Sequence, residues 1–212
     1  MKDIHAWIRS NIKSNAIVIE AGTCDGQDTA FFSDLLKEGM VYGFEPIPQL
    51  YDKAVHNLRG RSNVELYSKA LSDTKETKKM FFSDRFGQDW GSSSFLKPKD
   101  HLMHNPEITF KSTVDVESVL LDEFVESKNL ERIDMMWLDM QGYEPVVLQS
   151  SPKALAMTRF LYTEVSLVEN YEGLVKYPDY KKFLEENNFE VIEEGLYWAD
   201  GGNVLFRNKT FA

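Results

Sequence analysis

The 212-residue chain has a single cysteine, Cys24, so it can form no internal disulfide and no thiolate cluster for zinc. Long apolar runs are missing too. Near the N-terminus the longest is Ala16 to Ile19, far short of the roughly 20 residues a membrane span needs. Met1 to Ser14 is mixed and lacks the apolar block of a signal peptide. Basic residues are in deficit, 24 against 34 acidic, for a net charge of −10. Non-specific nucleic-acid binding draws on a basic, phosphate-tracking surface, so nucleic acid is a poor first guess for the partner. What is present, 42% hydrophobic and 13% aromatic residues, suffices for a packed core and excludes disorder. The expectation is an acidic, cytoplasmic protein forming one domain over residues 1–212, without a membrane partner.

Strand and helix patterns alternate along the chain. Ile4, Trp7, Ile8 and Ile12 recur at helical spacing. Ala16 to Glu20 reads as a strand, Gly22 to Gly26 as a turn, and Thr29 to Leu36 as a helix closed by Gly39. Val41 to Glu45 is the next strand, Leu50 to Leu58 a helix, and Asn63 to Tyr67 a third strand. Lys75 to Lys79 reads as a solvated connection, and Ser118 as the N-cap of a helix through Leu121 and Val125. Residues 83–110 are the least regular part, and long segments of that kind often act as lids. Ile133 to Leu138 and Phe160 to Val165 are strands, the Tyr143 and Pro178 regions helices. Phe189 to Trp198 and Val204 to Arg207 flank a hairpin signal at Asp200 to Asn203. The pattern predicts an α/β fold: a mostly parallel sheet with a C-terminal antiparallel hairpin and helices on both faces.

In such sheets ligands bind outside the carboxyl ends of the strands. Four strands end in or near an acid: Glu20, Glu45, Asp139 and Glu164. Desolvated carboxylates are costly unless a cation or a donor-rich ligand meets them. The turn after the first strand is spaced G-x-x-x-G, and Cys24 stands where a pyrophosphate-binding loop needs glycine. Glu45, at the tip of the second strand, is placed to accept hydrogen bonds from the two hydroxyls of a ribose.

Four stretches in order, Val18-Ile-Glu-Ala-Gly-Thr-Cys-Asp-Gly26, Gly43-Phe-Glu-Pro46, Ala70-Leu-Ser-Asp73 and Leu138-Asp-Met-Gln-Gly-Tyr-Glu144, resemble the motifs of the FkbM family. These are S-adenosylmethionine-dependent methyltransferases with a Rossmann-like, class I fold, acting on hydroxyls, typically of sugars. The resemblance implies that Glu20, Gly22, Thr23 and Gly26 surround the methionine end of the cofactor, that Glu45 with Pro46 holds the ribose, and that Ala70 lies near the adenine. Asp139 would face both the sulfonium and the acceptor. One departure is Gln141, where the family often has Glu.

Methyl transfer to an alcohol needs in-line alignment and a base for the hydroxyl proton. Asp139 or Glu164 fits that role, the other positioning the acceptor. Glu144 reads equally as an acid at a helix N-terminus. Asp139, Glu144 and Glu164 also leave open a divalent cation, Mg²⁺ or Mn²⁺, although no metal site is assigned. His101 and His104 compete as a lid-borne base or a weak metal pair, with exposed loop residues the default. His5 and His56 read as structural or surface residues. Trp90 to Phe95, Tyr171, Tyr197 and Trp198 are candidates for an acceptor wall, with Trp137 and Trp198 read mainly as core. Cys24 reads as packing. The acceptor expected is a sugar or glycan; the acidic charge disfavours a phosphorylated one, unless a local patch such as Lys97 and Lys99 offsets it. The alternatives are an NAD-dependent oxidoreductase and a catalytically silent binding domain.

Overall fold

In the computed structural model, which describes residues 3–89 and 91–211, helix α1 (Ile4–Asn11) begins where the Asp3 carboxylate accepts the Ala6 N–H at 2.9 Å. There follow β1 (Ile17–Ala21), α2 (Gln27–Leu35), β2 (Met40–Phe44), α3 (Pro48–Asn57) and β3 (Val64–Tyr67). Pro48 opens α3, where its missing N–H is no loss. Next come β4 (Ala70–Ser72), β5 (Thr77–Arg85), β6 (Gln88–Asp89), the one-turn α4 (His101–His104) and β7 (Ile108–Leu120). The chain continues through α5 (Leu121–Ser127), β8 (Ile133–Leu138), α6 (Glu144–Gln149), α7 (Pro152–Ala156) and β9 (Thr158–Ser166). It closes with α8 (Tyr177–Glu186), β10 (Phe189–Trp198) and β11 (Gly201–Asn208).

Seven strands form the central sheet in the order β10-β11-β9-β8-β1-β2-β3. Every pairing from β9 to β3 is parallel, and β11 runs antiparallel to both its neighbours. This is the expected mostly parallel sheet with a C-terminal hairpin. β1 shows why both faces must be covered: Val18 points into a core with Ile8, Phe32 and Met135, while Ile19 joins Phe124, Val147 and Leu184. Thus α1 and α2 cover one face and α5 to α8 the other. Strand order reverses between β2 and β8 on either side of β1, which opens a crevice at the carboxyl ends. No helix among the described residues is long and apolar enough to cross a membrane.

A second sheet, β4-β7-β5-β6, differs from the expectation. β7 is polar at alternate positions because one face is solvated, and its Val116 packs on Ile47, Leu50, Ala70 and Met80 in a third core cluster. Ser118 is therefore not a helix cap. It sits in β7, and its hydroxyl meets the Thr74 and Glu76 carbonyls at 2.7 and 2.9 Å. Lys75 to Lys79 is likewise not simply solvated. β5 starts at Thr77, and Lys78 reaches Asp73 and the Tyr143 hydroxyl, both at 3.0 Å. Gly39 does not cap α2; the helix ends at Leu36, and Gly39 is needed because a Cβ there would lie 2.1 Å from the Ala16 carbonyl oxygen. Residues 83–110 hold the end of β5, β6, α4 and the start of β7, and backbone pairings Phe81–Ser94 and Pro98–Tyr171 tie the intervening stretch down. Trp90 lies outside the described residues.

Candidate active site

Parallel register sets Leu138 beside Thr163, so the next residues, Asp139 and Glu164, emerge side by side from β8 and β9. The chain then turns left-handed at Gln141 (φ +53°) and Gly142 (φ +90°). That turn folds the Gln141 side chain back over the two acids. Its amide nitrogen donates to Asp139 Oδ1 at 2.6 Å and to Glu164 Oε2 at 2.8 Å. The amide oxygen lies 3.0 Å from the Tyr171 hydroxyl, whose one proton it shares with the Ser92 carbonyl at 2.8 Å, and the Gln141 carbonyl accepts from Ser94 Oγ at 2.9 Å. One neutral side chain, oriented at both ends, thus holds two carboxylates in place. Glu144 is buried, with Oε1 accepting the Met140 N–H at 2.6 Å, and burial pushes its pKa up to about 8. Asp139 is open to the crevice by its accessible surface, yet loss of water around its carboxyl raises its pKa, opposed by hydrogen bonds from Gln141 and Glu164. Glu164 is held well above the usual carboxylate range by burial and by the charges of Asp139 and Glu144. The two acids titrate as a pair, since their closeness disfavours both being ionised together.

One ligating oxygen each from Asp139, Glu144 and Glu164 falls within 4.8 Å of the others, and no other such cluster occurs among the described residues. The Gln141 amide nitrogen, however, already donates to two of the three.

On the other side of Asp139 lies a cavity of about 160 Å³. Gly22, Glu45, Pro46, Ala70, Phe95 and Asp139 are among its walls. Gly22 must be glycine, since its φ is +87° and a Cβ would stand 2.0 Å from the Asp139 carbonyl oxygen. Glu45 is fixed by the Cys24 and Ile47 N–H groups, each at 2.8 Å, and burial brings its pKa up to about 7. Glu20, Thr23 and Gly26 line neither this cavity nor the larger one. Glu20 is sealed behind the turn with the Thr29 hydroxyl at 2.6 Å, and burial raises its pKa to about 8. Gly26 starts α2 against Leu58.

The larger crevice, about 790 Å³, shares Cys24, Asp139 and Gln141 with the small cavity. Its further walls bring in His101, Asn170 and Trp198. His101 is buried rather than an exposed loop residue, and Trp198 is 51% exposed rather than core. Tyr171 stands at the centre of the site, whereas Tyr197 points away, 62% exposed. Burial raises the Cys24 thiol to about pKa 11, which suits packing and not nucleophilic work. Ser94 falls in the stretch expected to wall the acceptor, and Gln141 stands out as a departure from the family motif. Asn170 carries no signal in the sequence, because its partner Asp200 lies 30 residues away.

Two cavities meeting at an acid beside the switch point of this sheet define a class I methyltransferase. The fold is similar to that of Aeropyrum pernix fibrillarin, solved with natively bound S-adenosylmethionine, at a TM-score of 0.55 and 11% identity, covering 96% of this chain and 73% of that one. It is similar also to the N-terminal domain of EvdMO1, solved with S-adenosylhomocysteine, at a TM-score of 0.54 and 12% identity over 99% of this chain and 82% of that one. In sequence the chain is similar to 2-O-methyltransferase NoeI of Sinorhizobium fredii, 30% identical over 209 residues, or 97% of this chain and 85% of that protein. The sequence model of the methyltransferase FkbM domain matches residues 20–191, and the chain belongs to that family. It is an S-adenosylmethionine-dependent O-methyltransferase, which displaces the reading as an NAD-dependent oxidoreductase.

Proposed function

We propose that the protein methylates a hydroxyl of a sugar or glycan, with Asp139 as the base and Glu164 as the group that orients the acceptor. The observation that carries this reading is the meeting of the two cavities at Asp139. The small cavity fits an adenosyl group: Phe95 and Ala70 offer apolar walls, and the fixed Glu45 carboxylate offers acceptors for ribose hydroxyls. Gly22, Pro46 and Asp139 complete that holding set, while Glu20, Thr23 and Gly26 shape the turn from behind. When bound, S-adenosylmethionine supplies an electrophilic methyl group on a sulfonium.

The chain's own work is then to hold a hydroxyl at Asp139 and accept its proton as the oxygen forms its new bond. When Glu164 carries the proton of the pair it donates to Asp139 or to the acceptor, and Gln141 keeps both carboxyls aimed. The neutral Gln141 bridge favours this metal-free arrangement over a Mg²⁺ or Mn²⁺ site, so turnover should survive thorough chelation. In the single unit of 1–212, the 83–110 region gives Ser92 and His101 to the acceptor side and Phe95 to the cofactor side. NoeI, named as a 2-O-methyltransferase, supports the choice of a hydroxyl acceptor.

Asp139→Asn tests the base. General-base loss predicts a fall in kcat of roughly 10²–10⁴-fold, with calorimetric S-adenosylmethionine affinity kept within a few-fold. Wild-type turnover in this variant and in Glu164→Gln would remove both from the chemistry.

A further inference from the structure

The crevice continues beyond the reacting carboxyls. Ser166 lies two residues past Glu164 on β9, roughly 7 Å at strand spacing. There the Asn170 amide nitrogen donates to Asp200 Oδ2 at 2.9 Å and to Ser166 Oγ at 3.3 Å. From α4 comes His101, its ring 5.4 Å from that of Tyr171. His101 and Asn170 are only 5% and 8% exposed, yet His101 Nδ1 and Asn170 Oδ1 have no hydrogen-bond partner. Such an unmade bond costs about 1–3 kcal/mol. Both residues line one crevice, and since the two atoms have almost no accessible surface of their own, a ligand there meets them once the side chains turn towards it.

Charge narrows the ligand. Three aspartates, Asp25, Asp139 and Asp200, line the crevice together with Glu144 and Glu164, whose neutral forms are favoured by burial, against one lysine, Lys53. The nearby Lys97 and Lys99, which could have offset this, are ion-paired with Glu172, at 2.7 Å, and with Glu169. A phosphate would face acids and acceptors it cannot donate to. Sugar hydroxyls donate as well as accept, so they can satisfy Asn170 Oδ1, Asp200 and either state of His101 Nδ1. Trp198, half exposed on the same wall, offers an aromatic face for the C–H side of a ring.

We propose that His101, Asn170, Asp200 and Trp198 form a second acceptor subsite, which binds an uncharged sugar unit adjoining the one that is methylated. The substrate is thus a non-phosphorylated glycan of at least two units. This rests on the reading of the acceptor as a sugar.

The test compares neutral disaccharides, the matching methyl monosaccharides and phosphorylated disaccharides as methyl acceptors, using the full chain and labelled S-adenosylmethionine. The expected result is a kcat/KM for the best neutral disaccharide about tenfold or more above its monosaccharide, with that ratio collapsing towards one in Asn170→Ala and His101→Ala. S-adenosylhomocysteine affinity serves as the check of folding; Trp198→Ala, on an exposed position, carries the test if either buried variant fails to fold. A ratio untouched by all folded variants, or a preference for the phosphorylated sugars, overturns the subsite while leaving sugar methylation intact. Cofactor binding without methylation of any sugar overturns the sugar reading itself, and this proposal with it.

Discussion

At the residue scale, the site depends on what stands between acids. Gln141 separates Asp139 from Glu164 with an amide that donates to both. Gln141→Glu would replace that donor with a fourth carboxyl beside Asp139, Glu144 and Glu164, and like charges disfavour one another's ionisation. The expected outcome is an acid limb of the pH–rate profile moved up by roughly one unit, so that kcat measured on that limb falls by about tenfold. An unshifted limb would show that the bridge does not tune the base. Glu45 makes a separate case, because its oxygens satisfy the Cys24 and Ile47 amides. Glu45→Gln keeps one acceptor and loses the charge, so calorimetry should show S-adenosylmethionine binding weakened by about tenfold. Glu45→Ala orphans both amides, and should cost more in affinity and also lower the melting temperature. The acids themselves were legible in the sequence, since each closes an apolar run. Gln141 was visible only as a departure from the family motif; its meaning needs Tyr171, 30 positions away. His101 was visible only as half of a His-x-x-His pair in the irregular segment and Asn170 not at all, because what makes both notable is a missing partner beside a tertiary cavity.

At the scale of elements, the parallel sheet was legible because its strands are buried on both faces and read as compact β-branched runs. The second sheet was not. β5 and β7 carry charges on a solvated face, and their register depends on pairing between positions such as Met80 and Val114, far apart in sequence. Ser118 shows the consequence. A serine ahead of an apolar helix looks like a cap, yet its hydroxyl here joins the Thr74 and Glu76 carbonyls and accepts the Glu76 N–H at 3.1 Å. It pins the β4–β5 turn to β7. Ser118→Ala should therefore destabilise the fold by about 1–3 kcal/mol, read as a lower midpoint in urea, and hydrogen exchange should quicken in β5 more than in α5. A helix-capping role would give the opposite order of exchange.

For the whole molecule, the excess of acids becomes a statement about pH. Glu20, Glu45 and Glu144 have pKa values raised by burial to about 8, 7 and 8 from the ordinary 4.5. Between those limits the folded chain holds protons that the unfolded chain has released. Stability from these groups is therefore fully present below the unfolded value, and is lost as pH rises through the folded one. Asp73 acts in the other direction. Burial opposes its ionisation, but bonds from Tyr143, Lys78 and Ser72 outweigh that and bring its pKa down to about 2, so its contribution is lost in acid. The two trends cross in mild acid. The ligand-free protein should melt highest near pH 5 and progressively lower towards about pH 8. Glu144→Gln keeps an oxygen for the Met140 N–H and has no proton to lose, so its melting temperature should decline less steeply over the same range. A wild-type melting temperature that rises from pH 5 to 8 would mean these carboxyls are ionised in the folded state.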